Sequence, residues 1–297
     1  MSHVSHVSHV SHPSPACDLI PASFEDFRLG QCFVSEARLV TADDLELFAN
    51  VSGDRHPLHI DAGYARGQGY GDRMLHGPFG LAGFFGWFYT SGIATDAIVG
   101  LLDTQWSYLA PIYIGDAITY EMTITRCQRT KSQDRGVIGR HVRVRNQGGI
   151  VVQEGSTAVL VRAQGTAGGA SQELMTAAWA GLVSRRLNDD AEFQRATATW
   201  DGTVGLAGDR GEVQFRIYRG KVIESGARTP MGPTFTVVAS DLVWAELASG
   251  PESEFMRRAM QGAFAVRGCA YEYLRLTRAI SFFVDAMRDE FQQGGNT

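Results

Sequence analysis

Ser52-Gly53-Asp54-Arg55-His56-Pro57-Leu58-His59-Ile60-Asp61 places a carboxylate and an imidazole five residues apart, on either side of a proline. Pro57 cannot continue a helix arriving from upstream, and it biases His56 towards extended backbone. The turn it makes can bring His59 back alongside Asp54. Upstream, residues 41–51 read as a short helix: Thr41 is a good N-cap, Asp43 and Asp44 sit in the first turn, and Leu45, Phe48 and Ala49 share a face. Gly53 is the natural stop. Asp54 then falls just beyond the helix ladder with its carboxylate free. A carboxylate and an imidazole facing one small volume can hold or activate one water and handle one proton.

Working outward, Leu75-His76-Gly77-Pro78-Phe79-Gly80-Leu81-Ala82-Gly83-Phe84-Phe85-Gly86-Trp87-Phe88 forms the other half of the expected site. Pro78 suits the first turn of a helix, where its missing N–H would be unsatisfied anyway. Backbone N–H groups just before such a helix point outward with the positive end of the dipole behind them, which is how an oxyanion hole is built. Phe84, Phe85, Trp87 and Phe88 make the helix apolar nearly all round, so it is expected to be buried. Ile118, Tyr120, Met122 and Ile124 alternate with Thr119, Glu121, Thr123 and Thr125, the pattern of a half-buried antiparallel strand. Residues 137–145 and 150–162 read as two further strands joined by a turn at Gln147-Gly148-Gly149.

The first stretch resembles the signature of the MaoC-like (R)-specific enoyl-CoA hydratases: an aromatic residue, a small residue, Gly or Glu, Asp, a spacer ending in Asn-Pro, an aliphatic residue, His, and an acidic residue two further on. Phe48, Ser52, Asp54, Pro57, Leu58, His59 and Asp61 carry the match, and His56 stands where the family most often has a loop-shaping Asn. The resemblance covers residues 24–163. It implies a hotdog domain, an antiparallel sheet wrapped around a central helix, that adds water at Cβ and a proton at Cα of a 2-enoyl thioester, or runs the reverse dehydration. It also implies that His59 orients or deprotonates the water, Asp54 manages the Cα proton and the Gly77 N–H holds the thioester oxygen. Asp61 reads instead as the N-cap of a segment starting at Ala62. His76, whose plainest role is packing, and Phe79 are candidate substrate-binding residues. No metal or redox cofactor is expected, coenzyme A being part of the substrate.

Arg126, Arg129, Lys131, Arg135, Arg140, Arg143 and Arg145 form a basic cluster. Its plainer reading is a solvated strand face. The functional one has Arg140 and Arg143 hold coenzyme A phosphates.

At 297 residues and 44% hydrophobic content the chain is long enough for two cores. A net charge of -5 leaves no basic excess for a nucleic-acid partner. Cys17, Cys32, Cys127 and Cys269 show no CxxC pairing, so neither a zinc site nor a disulfide framework is indicated, and a cytoplasmic setting fits. No secretory signal is read. Residues 77–95 are uncharged, but their glycines and hydroxyls favour a core helix over a membrane span.

Residues 1–22, with repeated Ser-His-Val, read as a disordered tail, 23–163 as the hotdog unit, 164–171 as a small-residue linker and 172–297 as a second unit. Residues 63–73 read as an irregular overhang. In the second unit, residues 174–193 read as one helix; strands follow at Val213 to Ile217, 221–224 and 234–239, a helix capped by Ser240, a strand at 263–268 and a final amphipathic helix. This order is similar to a sterol carrier protein type 2 domain, a smaller α/β unit, and implies an apolar tunnel for a lipid-like ligand. A homodimer or higher oligomer is expected by fold analogy. Two rival readings are a hotdog thioesterase, which would need a carboxylate on the central helix that residues 77–95 lack, and a catalytically silent acyl-CoA or lipid carrier.

Overall fold

The computed structural model describes residues 20–165 and 173–294. The expected tail over 1–22 and linker over 164–171 lie largely outside them. Two sheets divide the described residues. The first contains β1 (Cys32–Val34), β2 (Arg38–Leu39), β3 (Ile98–Tyr108), β4 (Ala117–Arg129), β5 (Arg135–Arg145) and β6 (Val151–Arg162). Its order is β1-β4-β5-β6-β3, with β2 also on β4, and every pairing is antiparallel. The inward set of β4, Ile118, Tyr120, Met122 and Ile124, is at most 2% exposed, so the alternation fixes which face meets the core.

Four helices join this sheet: α1 (Ala42–Ser52), α2 (Pro57–Ile60), α3 (Ala62–Gly67) and α4 (Pro78–Thr90). α1 begins with a capping box, Thr41 accepting from the Asp44 N–H and Asp44 accepting from the Thr41 N–H, and ends at Gly53 with φ 73°. Residues 62–67 are helical where an irregular overhang was expected. Asp61 explains this, its carboxylate accepting from the N–H groups of Gly63 and Tyr64.

α4 is the central helix of a hotdog fold. Phe84 and Phe88 point into the core, where each ring contributes about 2–3 kcal/mol by leaving water. The helix is not buried all round, however. Ala82, Gly86, Tyr89 and Thr90 are exposed along one side, because the small residues there leave no side-chain bulk to close over. Thirteen residues of helix span about 20 Å, short of a bilayer. No helix among the described residues is long and apolar enough to cross a membrane.

The second unit contains α5 (Ala177–Asp189), α6 (Ala191–Thr197), β7 (Asp201–Ala207), β8 (Glu212–Tyr218), β9 (Lys221–Gly226), β10 (Phe235–Val238), α7 (Asp241–Ser249), α8 (Phe255–Met260), β11 (Ala265–Gly268), α9 (Ala270–Arg275) and α10 (Thr277–Gly294). Its sheet runs β11-β10-β7-β8-β9, with β10 parallel to β7. The single helix expected over 174–193 is two, since the Asp190 carboxylate accepts from Glu192 and Phe193 N–H groups and starts α6. Between sheet and helices, where a tunnel was expected, Phe193, Phe215 and Phe283 are buried and pack edge to face, with Trp179 against Phe215.

The two units share a seam on the outer face of the first sheet. Leu29 belongs to the second unit's core. Gly30, at φ +74°, runs so close to α7 that a Cβ there would lie 2.0 Å from Ser249 Oγ. Arg143 on β5 reaches Glu121 of β4 at 3.2 Å and Glu246 of α7 at 3.4 Å, and Arg145 reaches Glu121 at 3.1 Å.

Candidate active site

The loop between α1 and α2 is set by local chemistry. The Asp54 carboxylate accepts from the His56 N–H at 3.0 Å. His56 caps α2, its Nδ1 accepting from the Leu58 N–H at 3.3 Å, so it does the loop-shaping work expected of an Asn. Pro57 takes the first helical position. One turn later His59 donates from Nδ1 to the Met74 carbonyl at 2.8 Å, because a carbonyl can only accept. When the ring is neutral, its Nε2 therefore carries a lone pair, and it stands 3.8 Å from Asp54 Oδ2. A shared water can hydrogen-bond to both from one side of that line.

His76 ties this loop to the start of α4. Its Nε2 donates to the Asp54 carbonyl at 2.8 Å, and its ring stacks on His59 with centroids 3.9 Å apart. His76 is 1% exposed, and its Nδ1 has no hydrogen-bond partner among the described residues. Phe48 covers the other side at 5.2 Å and meets Phe79 edge-on at 6.1 Å. Asp54, His59 and His76 offer one donor atom each, all within 4.8 Å of one another. The backbone hydrogen bond from His56 is the main cause holding the Asp54 carboxyl below its usual range; the nearby charges of His59 and His76 act the same way.

Gly77 is the N-cap of α4, and its N–H donates to no acceptor among the described residues. Its carbonyl accepts from Gln153 Nε2 at 3.0 Å, while Gln153 Oε1 accepts from the Trp106 indole at 2.9 Å. Beside it lies a cavity of about 260 Å³ whose lining includes His59, Gly77, Tyr108 and Gln153. Asp54, His59, His76, Gly77 and Phe79 are thus brought together.

Arg140 and Arg143 are not brought to this site. Arg140 is 0% exposed, with Nε on Thr157 and its guanidinium 4.4 Å from the Phe88 ring centroid. It faces inward with the β5 core residues, where no coenzyme could reach it. Arg143 faces the opposite side of the sheet and is held by Glu121 and Glu246 at the seam. Sequence reading missed Gln153. No local signal marks it, since the same strand also carries Glu154, Ser156 and a buried Thr157.

Comparison with known proteins places this geometry in context. A family model described as MaoC like domain matches residues 28–146. An (R)-specific enoyl-CoA hydratase of Rhodospirillum rubrum is 31% identical over 153 residues, covering 50% of this chain and 99% of that protein. The crystal structure of the MaoC-like dehydratase from Rhodospirillum rubrum matches at 29% identity and a TM-score of 0.45, over 48% of this chain and 98% of that one. A sterol carrier protein 2 structure matches at 23% identity and a TM-score of 0.35, over 39% of this chain and 98% of that one.

Proposed function

The chain belongs to the MaoC-like family, and from that premise we propose that it adds water reversibly across the double bond of a trans-2-enoyl-CoA to give the (R)-3-hydroxyacyl-CoA. The observation that carries the reading is the pair itself: His59 Nε2 and Asp54 Oδ2 are 3.8 Å apart, near a helix N-terminus whose Gly77 N–H has no acceptor among the described residues. The thioester oxygen accepts from that N–H, and the double bond lies across the water held by Asp54 and His59. The water oxygen bonds to Cβ as its proton passes to His59 Nε2, and the π pair moves to Cα and on to the thioester oxygen as an enolate. The proton moves from His59 to Asp54 and from there to Cα, restoring the C=O. One water is consumed and both side chains end as they began. Donation from Gly77 to the developing oxyanion is worth several kcal/mol in such sites.

In this scheme His76 is a positioning residue, holding Asp54 through its carbonyl and His59 through stacking. A dimer is part of the proposal: β3 ends its sheet with an open edge and exposes Leu101 and Leu102. The test is loss of the conjugated enoyl-thioester absorbance of crotonyl-CoA and a longer 2-enoyl-CoA. Wild type should consume both, and Asp54→Asn and His59→Ala should each lower kcat by about two decades or more. Binding of both substrates by wild type with no change in absorbance would overturn the reading in favour of a carrier.

A further inference from the structure

A second concavity, bounded by the Phe48 and Phe79 rings, shares no lining residue with the cavity that holds His59 and Gly77. It has a volume of about 490 Å³ and is lined by Phe48, Phe79, Gly83, Gly86, Trp87 and Tyr120, with Arg38 at its rim. It follows the open side of α4 from Phe79 to Thr90, about 16 Å at the helical rise. The walls are mostly apolar; Ser35, Glu36, Arg38 and Thr90 are polar lining residues that are not buried, and Tyr120 carries the one buried polar group. Tyr120 is 2% exposed, and its hydroxyl proton meets no acceptor among the described residues. Burial pushes its pKa up to about 12, against an opposing pull from Arg38, so the group stays protonated and is a donor. Arg38 can only donate, so it offers the hydroxyl proton no acceptor.

This donor is built into the groove. A Cβ at position 83 would lie 2.1 Å from the Tyr120 oxygen and 3.3 Å from Arg38 Nη1, so glycine there leaves room for both groups. Trp87 stacks on the Tyr120 ring at 6.0 Å and an interplanar angle of 16°. Buried hydroxyls nearly always donate, and one left without an acceptor in the wall of a ligand-sized groove points to an acceptor that arrives with the ligand. Arg38 is already paired with Asp44. The pocket therefore suits a neutral oxygen rather than a second carboxylate.

We propose that this groove takes the acyl part of the thioester, and that Tyr120, assisted by Arg38, binds a carbonyl or hydroxyl oxygen carried on that acyl group away from the reacting double bond. The substrate class is then a long or ring-bearing 2-enoyl thioester oxygenated on its distal part. The inference rests on the hydratase reading for its reaction but not for its binding site. The probes are trans-2-decenoyl-CoA and its 5-, 6-, 7- and 8-oxo derivatives. At least one oxo compound should exceed the parent tenfold in kcat/KM with wild type, and that ratio should fall towards one in Tyr120→Phe, which deletes only the hydroxyl. An advantage of less than threefold for every oxo compound, or one that survives Tyr120→Phe, overturns the proposal.

Calorimetric Kd values of wild type for saturated decanoyl-CoA and its four oxo analogues separate the two readings without a variant or turnover. Tighter binding of an oxo analogue by tenfold, with no hydration of any substrate, supports the oxygen site and removes the hydratase reading. Hydration of decenoyl-CoA with equal Kd values across the series does the reverse.

Discussion

Replacing Gln153 by Leu tests how the expected oxyanion donor is held in place. The side chain is 3% exposed and bridges two groups, the Gly77 carbonyl and the Trp106 indole N–H. Leucine keeps most of the volume, leaves the Trp106 indole N–H unpaired and takes from the Gly77 carbonyl the donor it has beside its helical hydrogen bond. The unpaired indole costs about 1–3 kcal/mol and the lost carbonyl hydrogen bond about 1 kcal/mol, so a total of about 2–4 kcal/mol in folding stability is expected. The catalytic effect comes from position: once its carbonyl is released, Gly77 can rotate and carry its N–H off the thioester oxygen. Loss of an oxyanion donor costs about 100- to 1,000-fold and a small misplacement up to about 100-fold, so kcat should fall by about 10- to 100-fold. Crotonyl-CoA turnover followed at the enoyl-thioester band, together with urea denaturation, measures both quantities. Gly80→Ala perturbs the same amide from the other side, since its Cβ would lie 2.2 Å from Gln153 Oε1. The two changes should share one phenotype and combine to less than the product of their separate effects on kcat. A folded Gln153→Leu enzyme with kcat within twofold of wild type would refute the reasoning.

Further consequences can be checked independently. The Asp54 carboxyl titrates below its ordinary 3.8, so the native state binds fewer protons there than the unfolded chain. The stability this contributes is complete above about pH 5 and is lost as pH falls through the folded pKa; the difference between wild type and Asp54→Asn should change between about pH 5 and 3, and no change there contradicts the assignment. His76→Phe retains ring packing on Phe48 but removes the donor to the Asp54 carbonyl, and should cost about 1–3 kcal/mol in chemical denaturation while lowering kcat more than it raises KM. Arg140 is buried and both its terminal nitrogens lack a partner among the described residues, so Arg140→Met should be neutral or stabilising by about 1–3 kcal/mol; a clear loss of stability would show that the guanidinium is better satisfied than its contacts indicate. Gly30→Ala imposes a side chain at φ +74° against Ser249 and should destabilise by about 2–3 kcal/mol, and Ser249→Gly should recover only the part due to the clash.

Features governed by local chemistry could be read along the chain. Thr41 and Gly53 bound α1, Pro57 and Pro78 open their helices, and the alternation through Ile118 and Ile124 orients β4. The Asp54 and His59 placement belongs to the same class, since both sit within one turn of a proline. What escaped depended on pairings across long separations. Gln153 meets Gly77 from 76 residues away, and nothing in either neighbourhood announces it. Arg140 and Arg143 look alike in sequence, yet their separation by an odd number of residues sends them to opposite faces of β5, one into the core and one to the seam. The open side of α4 was missed for a related reason: apolar composition was read as burial, whereas Ala82, Gly83 and Gly86 are small enough to leave a groove. β7 was overlooked because Gly202 and Gly205 dilute its strand character, although Thr203, Val204 and Leu206 are buried.

The seam at Gly30 and α7 has a consequence for how the protein is made. Strand β6, which completes the first sheet, ends at Arg162, whereas the helix that covers the sheet's outer face ends at Ser249. During synthesis at about 5–20 residues per second, that face waits about 4–17 s for its cover. Through that interval Leu29 has no core to enter and Arg143 has only Glu121 as a partner. A nascent hotdog unit is therefore expected to dwell near the ribosome with an uncapped flank, and chaperone dependence should track the rate at which the second half emerges.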